Sequence, residues 1–204
     1  MQLAWPLPKP SEHLSLFHYL KLLIAITGAS GALYAQRLLD QLDPRVHGVH
    51  VMLSQYAQAV LQKELLGGLK LPAGAQVHGL KSMNVPFVSG SNPVDAMVVI
   101  PCTMGTLARI AHGLSDDALL RAADVTLKER RKLILVPRET PYHLLHVKNM
   151  ALLLEAGAIL IPANPSFYTR PQTVEAVVDT VVARVLDHLG IEHTLGVRWG
   201  VERE

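Results

Sequence analysis

The sequence predicts a doubly wound α/β fold, with a mostly parallel sheet in a single domain. Short, continuously aliphatic runs alternate with segments of helical period along the chain, an order typical of parallel sheets covered by helices on both faces. A turn of sequence Gly-Ala-Ser-Gly at 28–31 joins the first aliphatic run to the first helical segment. The 204 residues, 50% hydrophobic and 18% charged, suffice for one such domain with a full core.

The predicted strands are 22–27, 46–53, 96–100, 132–136 and 158–161. The clearest helical segment is 173–189, with apolar residues at 174, 177, 178, 181, 182, 185, 186 and 189. Thr173 is its expected N-cap. Because ligands of such folds bind beyond the carboxyl ends of the strands, the residues that follow each strand are the candidates for a site.

The composition limits which cellular compartment and which classes of binding partner we expect. A net charge of +2 gives no broad basic surface for nucleic acid or for a membrane. The single cysteine, Cys102, excludes an internal disulfide framework and favours a reducing compartment, the cytoplasm. Residues 1–20 contain three prolines and no long apolar core. We therefore expect an N-terminal extension there, with no signal peptide or membrane span, ahead of a domain at 21–204.

The turn at 28–31 has the features of an anion-binding loop. Backbone N–H groups at a helix N-terminus favour an anion, and Ser30 adds a hydroxyl. A dinucleotide fingerprint would need glycines at 30 and 33, where this chain has Ser30 and Leu33. Ser54 follows the second strand, where an acidic ribose ligand would be expected. These differences argue against NAD, although Ser54 has the alternative role of a helix N-cap.

A second turn of the same kind follows the third predicted strand. Thr103, Gly105 and Thr106 form a hydroxyl-rich entry to a helix. Two such turns on neighbouring strands exceed what a strand–helix connection requires, and together they can cradle one phosphorylated cofactor.

Charged and aromatic residues follow the remaining strands. Arg138 and Glu139 lie between two prolines after the fourth strand, as a ligand site or, alternatively, a surface ion pair. The proline-rich loop after the fifth strand carries Phe167, Tyr168 and Arg170, which suits the wall of a site or a rigid connector.

A basic segment leads into the fourth strand. Arg121 and Lys128 are seven residues apart and share one helix face. We expect this face to lie near Arg138 and to bind a second phosphate, while residues 130–132 form a solvated helix end.

Taken in order, these residues resemble the flavin prenyltransferases, the family of UbiX and its fungal decarboxylase-associated relatives. The resemblance covers about residues 21–200. It is carried by the stretches "TGASGALYAQRLL", "SGSNPVDAMVVIPCTMGTLA", "LLRAADVTLKERRKLILVPRETPYHLLHVKNM", "FYTRPQTVEAVVDTVVARVLDHLGI" and "RWG".

The resemblance implies a Rossmann-like flavoprotein that joins the dimethylallyl group of dimethylallyl monophosphate to N5 and C6 of reduced FMN without a metal. It implies that the product, prenylated FMN, serves a UbiD-type decarboxylase, as in ubiquinone biosynthesis. It also implies a homododecamer with sites at subunit junctions.

The resemblance also implies roles for individual residues. The implied FMN contacts are Gly28, Ala29, Ser30, Ser54, Thr103, Met104, Gly105, Thr106 and Arg138. The implied prenyl-phosphate contacts are Tyr168 and Arg184, with Lys128, Arg121 and the Ser89-Gly90-Ser91 loop beside them. The residues implied near the reacting atoms are Glu64, Glu139 and Trp199, and Ser30 and Lys128 complete the catalytic set.

This chemistry is consistent with the residue types. Without a metal, cationic and hydroxyl donors must stabilise the departing phosphate, an aromatic face such as Trp199 would stabilise an allylic cation, and Glu139 or the released phosphate would accept the ring proton. Two alternatives remain: an FMN-dependent cysteine-peptide decarboxylase of the same fold, and a non-catalytic flavin-delivery subunit. A metal site at His143 and His146 lacks a third ligand with matching spacing, and we expect Cys102 to be a core residue.

Overall fold

The computed structural model describes residues 19–196. Its sheet has six strands, all parallel, in the order β3-β2-β1-β4-β5-β6. The strands are β1 (Lys21–Ile26), β2 (Gly48–Leu53), β3 (Gln76–His78), β4 (Ala96–Cys102), β5 (Lys132–Pro137) and β6 (Ile159–Leu160). The chain runs outward from β1 to one edge, returns to β4 and continues to the other edge, which confirms the predicted doubly wound fold.

Helices connect the strands and cover both faces of the sheet. They are α1 (Ala32–Leu39), α2 (Ala57–Glu64), α3 (Met104–Ala111), α4 (Ala118–Lys128), α5 (Leu144–Glu155) and α6 (Val174–Leu189), with a 3₁₀ helix at Pro86–Val88. None of the helices among residues 19–196 has the length and apolar character needed to cross a membrane.

Alternation along β1 explains why both faces are covered. Leu22, Ile24 and Ile26 pack with residues of α1, α2 and α6, whereas Leu23 and Ala25 pack with residues of α3, α4 and α5 on the opposite face. All five side chains are fully or almost fully buried. The continuous apolar run of β1 follows from this position in the middle of the sheet.

The predicted elements differ from the structure mainly at one edge of the sheet. Strand β3 was not predicted, because its three residues form an exposed edge and Val77 remains 56% exposed. Helix α6 begins as predicted, and the Thr173 hydroxyl accepts a hydrogen bond from the Ala176 N–H at 3.1 Å. The predicted extension lies almost entirely outside the described residues, so the boundary at residue 21 stays a prediction.

Candidate functional site

The candidate site lies at the carboxyl edge of the sheet, where β1 and β4 run side by side and their following helices go to opposite faces. Thr27 ties the two strand ends together. Its hydroxyl donates to the Pro101 carbonyl at 2.7 Å and accepts from the Thr103 N–H at 2.8 Å. This side chain is 1% exposed, so it holds the two predicted turns at a fixed separation. The sequence analysis missed Thr27, whose only signal is a hydroxyl at the last position of an apolar run.

The first turn holds an anion, and that anion belongs to the chain itself. The Glu64 carboxylate, at the end of α2, accepts from the N–H groups of Gly31 and Ala32, both at 2.8 Å. Gly31 occupies the N-cap of α1 with φ of 116°, a left-handed conformation that favours glycine. The prediction that this turn favours an anion therefore agrees with the structure, but its occupant is a carboxylate from 33 residues further along the chain.

Glu64 is held in its ionised form by its neighbours. Partial desolvation favours the protonated acid, but hydrogen bonds from the Ser30 side chain and from the Gly31 and Ala32 N–H groups outweigh it, with the Arg138 charge adding to them. The pKa of Glu64 consequently lies below its usual value. At neutral pH this group is a hydrogen-bond acceptor that orients the Ser30 hydroxyl.

In the second turn, the hydroxyl proton of Thr106 has no acceptor among the described contacts. The Thr103 hydroxyl caps α3 by accepting from the Thr106 N–H at 3.1 Å, and it donates its own proton to Thr106 Oγ1 at 2.9 Å. The Thr106 hydroxyl therefore keeps its proton for a further acceptor. Gly105 lies between them with open space where a Cβ would stand, so a ligand can approach the backbone. Met104 is 4% exposed and belongs to the core, so it offers a ligand only its backbone.

A cavity of about 280 Å³ connects the two turns. Its lining residues follow β1, β2, β3 and β4, lie on α3, or cap the N-terminus of α4. They are Gly28, Ser54, Gln55, Tyr56, Leu80, Thr103, Thr106, Arg109 and Asp117. Ser54 does not cap α2, because the N-cap position of that helix is Tyr56 and has no side-chain cap. Its hydroxyl instead lines the cavity, which favours the ligand role of Ser54 over the alternative capping role. Ala29 is 6% exposed, with its side chain in the core.

Glycine is required at position 28 because Tyr56 lies directly against its Cα. A Cβ on Gly28 would lie 2.6 Å from Tyr56 Cβ and 3.3 Å from the Tyr56 carbonyl carbon. The absence of a side chain lets the chain before α2 pass directly over the first turn.

Arg138 and Glu139 lie at the same edge, beyond the end of β5. The Arg138 Nε donates to the Ser30 carbonyl at 2.9 Å, and its backbone N–H donates to the Cys102 carbonyl at 3.2 Å. Glu139 accepts from the Thr140 N–H at 3.1 Å. Arg138 is thus a bridge between the turn after β1 and the end of β5. The alternative of an Arg138–Glu139 surface ion pair is not what the described contacts show.

Within one chain Lys128 is not near Arg138, so the expectation that they lie together was wrong for a single subunit. Lys128 ends α4 just before β5 and pairs with Glu129, and Gly90 lies against both of these side chains. The nearby Arg131–Asp95 ion pair, at 3.8 Å, joins the residues that enter β5 and β4. Lys128 therefore lies at the amino edge, and Arg138 follows β5 at the carboxyl edge. Six strand residues place these edges about 20 Å apart.

Arg121 shares α4 with Lys128, as predicted, and lies about two turns earlier. Its Nε donates to the Val88 carbonyl at 3.1 Å, and its guanidinium pairs with Asp124 at 2.6 Å. The loop that contains Gly90 therefore runs alongside α4. We call Arg121, Lys128 and Gly90 the α4 group.

Tyr168 and Arg184 share a different cavity, of about 600 Å³, between α6 and the loop that follows β6. We call it the α6 cavity. Arg184 pairs with Asp187 at 2.7 Å. Trp199 lies outside the described residues.

Within residues 19–196, histidine rings pack against one another in two places. His50 Nδ1 lies 2.9 Å from His78 Nε2, and both rings pack on Phe87. Burial, together with the charges of His78 and Lys21, lowers the pKa of His50 from 6.5 to about 4. His143 and His146 stack at 3.5 Å between ring centroids, but within residues 19–196 no group of three or more potential ligands could hold a metal ion.

Cys102 is fully buried, and this burial raises the pKa of its thiol to about 12. A thiol that stays protonated at neutral pH is a poor nucleophile, as expected of a core residue.

The carboxyl edge suits a phosphorylated flavin. The cavity offers the hydroxyls of Ser54 and Thr106 and the N-terminus of α3, which together suit a phosphate. Arg138, Ser30 and Glu64 lie at the adjoining turn and can orient a neutral ring system with hydrogen-bonding edges. These residues can bind an anion, hold an ionised carboxylate beside it and present a second carboxylate, Glu139, for proton transfer.

Comparisons with known proteins give a consistent result. The Flavoprotein family profile matches residues 10–186. The flavin prenyltransferase UbiX of Alkalihalophilus pseudofirmus is 43% identical over 189 residues, covering 87% of this chain and 94% of the relative. The flavin prenyltransferase UbiX of Pseudomonas aeruginosa is also 43% identical, and the match covers 88% of this chain and 94% of that relative.

Solved structures agree with the sequence relatives. AnUbiX (PadA1), in complex with FMN and dimethylallyl pyrophosphate, matches with a TM-score of 0.83 at 36% identity, covering 91% of this chain and 100% of that chain. A dodecameric FMN-dependent UbiX-like decarboxylase from Escherichia coli O157:H7 matches with a TM-score of 0.81 at 40% identity, covering 89% and 100%. The peptidyl-cysteine decarboxylase EpiD, at 18% identity and a TM-score of 0.54, shares the fold alone.

Proposed function

Because the chain belongs to the flavoprotein family and, within it, to the flavin prenyltransferases, we propose that it transfers a dimethylallyl group from a prenyl phosphate to reduced FMN. It is a transferase whose flavin is FMN. The observation that carries the proposal is the hydroxyl-lined cavity at the carboxyl edge, in a chain 43% identical to UbiX over most of its length.

The FMN phosphate is proposed to bind at the second turn. Glu64 already occupies the N-terminus of α1, and two anions at one helix end would repel each other. The cavity with Ser54 and Thr106 has donors for a phosphate, and Gly105 leaves room for it. This choice assigns Gly28, Thr103 and the backbone of Met104 to the phosphate end, and Ala29, Ser30 and Arg138 to the flavin end.

The chain's own groups at the flavin end have distinct proposed tasks. Reduced FMN, when bound, supplies the nucleophilic atoms N5 and C6. Glu64 fixes the Ser30 hydroxyl beside the site, and Arg138 fixes the turn that carries Ser30. Glu139, on the neighbouring strand end, is the proposed base that accepts the proton lost from the ring carbon.

The prenyl-phosphate contacts are proposed to come together only between subunits. The α4 group lies at the opposite edge of the sheet, the α6 cavity is separate from the cavity between the two turns, and a single chain holds Lys128 about 20 Å from Arg138. Neighbouring copies that bring these surfaces together would supply cations to the departing phosphate without a metal.

Helix α5 supports an oligomer. Among its residues only Leu153 is buried. Its large apolar side chains are mostly exposed, and they are Leu144, Leu145, Val147, Leu152 and Leu154. An apolar helix that leaves this much surface in water is typical of a subunit interface, and we propose the dodecamer that the relative from Escherichia coli forms.

The product would be prenylated FMN, and a modified flavin made by one enzyme must be used by another. We therefore propose a UbiD-type decarboxylase as the recipient and the cytoplasm as the compartment. Neither a cysteine-peptide decarboxylase nor a delivery subunit requires the cations of the α4 group and the α6 cavity.

The test is to incubate the protein with reduced FMN and dimethylallyl monophosphate and to measure the mass of the flavin. We expect one five-carbon prenyl unit to be added. Unmodified flavin after incubation with either the monophosphate or the diphosphate would contradict the proposal. Decarboxylation of a cysteine-terminated peptide under the same conditions would favour the first alternative.

A further inference from the structure

The α6 cavity contains a buried histidine that the proposed reaction has not yet used. Helix α6 ends at Gly190, and the chain then folds back along the helix, with the Ile191 N–H donating to the Leu186 carbonyl at 3.1 Å. Gly196 lies beside Ala183, one turn before Asp187. His193 lies within this returning segment and lines the cavity with Tyr168 and Arg184.

The His193 side chain is 2% exposed, and its Nε2 lies 3.2 Å from Asp187 Oδ1. A carboxylate can only accept, so Nε2 carries the proton. Its Nδ1 is buried and has no hydrogen-bond partner in the part of the chain that the structure describes. A buried, unpaired ring nitrogen at the wall of a polar cavity points to a role beyond packing.

Asp187 connects this buried histidine to Arg184. Its other oxygen, Oδ2, accepts from Arg184 NH1 at 2.7 Å. The Arg184 side chain is 64% exposed, so it has many orientations available unless a partner selects one. An ion pair this exposed contributes little to folding, but it restricts the guanidinium to one side of α6. Asp187 is itself restrained by the buried imidazole.

Resting on the proposed function, we propose that Asp187 and His193 are positioning residues that hold Arg184 in the orientation that binds the phosphate of the prenyl substrate. The buried imidazole fixes the carboxylate, the carboxylate fixes NH1, and the remaining N–H groups of the guanidinium face the cavity. Arg184 then binds the phosphate without first losing rotamer freedom, which lowers the cost of binding.

The test compares His193→Leu, which removes the N–H donor, with His193→Gln, which keeps one. We expect His193→Leu to raise the KM for dimethylallyl monophosphate about 10-fold, the order expected for one weakened charge-assisted hydrogen bond. The KM should recover at least in part in His193→Gln, while the affinity for FMN stays close to wild type in both variants. Asp187→Asn should raise the same KM. In an Arg184→Ala background, His193→Leu should have no further effect, because the residue on which it acts is gone.

An unchanged KM in His193→Leu, or an equal effect with and without Arg184, would overturn the positioning role. A fall in FMN affinity as large as the rise in KM would overturn it too, because it would mark a general loss of structure. Calorimetric binding of dimethylallyl monophosphate to each variant needs no turnover. A wild-type protein that binds this ligand but leaves FMN unmodified would overturn the proposed reaction and leave the binding comparison to decide the role of His193. A wild type that does neither would overturn both.

Discussion

Thr106→Val tests the assignment of the FMN phosphate to the second turn. The Thr106 side chain is 3% exposed, and valine has nearly the same shape, so the fold should persist. Thr103 donates its hydroxyl proton to Thr106 Oγ1, which leaves the Thr106 proton for the phosphate. Valine removes that donor and leaves the Thr103 hydroxyl without its acceptor.

The magnitude follows from the charge of the phosphate. A hydrogen bond to a charged group contributes about 1.5–3 kcal/mol, so the dissociation constant of FMN should rise by about 10- to 150-fold. The neutral hydrogen bond lost between Thr103 and Thr106 should lower the free energy of unfolding by about 1 kcal/mol. Riboflavin has no phosphate, and its affinity should therefore change little.

Calorimetric titrations of wild type and Thr106→Val with FMN and with riboflavin isolate the phosphate contribution. Thr106→Ser retains the hydroxyl and serves as the matched control. Equal losses for FMN and riboflavin, or undiminished affinity for FMN, would refute the assignment and would return the phosphate to the first turn beside Glu64.

Three further predictions concern stability, the cofactor cavity and assembly. The pKa of His50 falls from 6.5 in the unfolded chain to about 4 in the fold, so the unfolded state takes up the proton at a higher pH than the folded state. The free energy of unfolding should therefore fall as pH drops from about 7 to 4, by at most roughly 3 kcal/mol. Urea titrations across this range should show that loss, and His50→Phe should flatten it; identical profiles for the two proteins would exclude His50. Gly28→Ala should lower the affinity for FMN and should lower the free energy of unfolding by about 1–3 kcal/mol, because its Cβ would lie 2.6 Å from Tyr56 Cβ. Gly105→Ala should reduce the affinity for FMN alone, because its Cβ would meet open space. Thermal denaturation and titration with FMN separate the two effects, and equal stabilities of the two variants would contradict the packing argument. Leu145→Lys on the exposed face of α5 should produce smaller species in light scattering, while Gln62→Lys on α2 should not, and an unchanged mass for Leu145→Lys would exclude this face as an interface.

Much of the fold followed from the sequence because its signals are local. Strands buried on both faces must be continuously apolar, which made β1, β4 and β5 recognisable. A hydroxyl before an apolar helical repeat is an N-cap signal, which located the start of α6. The two turns of the site were found for the same reason, since each is a short, contiguous segment next to a strong strand signal.

Features that depend on distant contacts were decided by the tertiary structure. Strand β3 exists only because β2 offers it a paired edge, and its three residues carry no apolar pattern of their own. Glu64 reaches the N-terminus of α1 because α2 ends beside the first turn. The spacing of these residues in the sequence does not predict this contact. The hydroxyl of Ser54 lines the cavity because α2 begins later than the sequence indicated.

The clearest limit of the sequence concerns Lys128 and Arg138. Ten positions separate them, and their charges alone suggested one phosphate site. Strand β5 lies between them, and because a strand extends the chain by about 3.3 Å per residue, it carries the two cations to opposite edges of the sheet. Local pattern thus determined the elements and the composition of the turns, whereas the path of the chain through the sheet decided which charged residues can act together within one subunit.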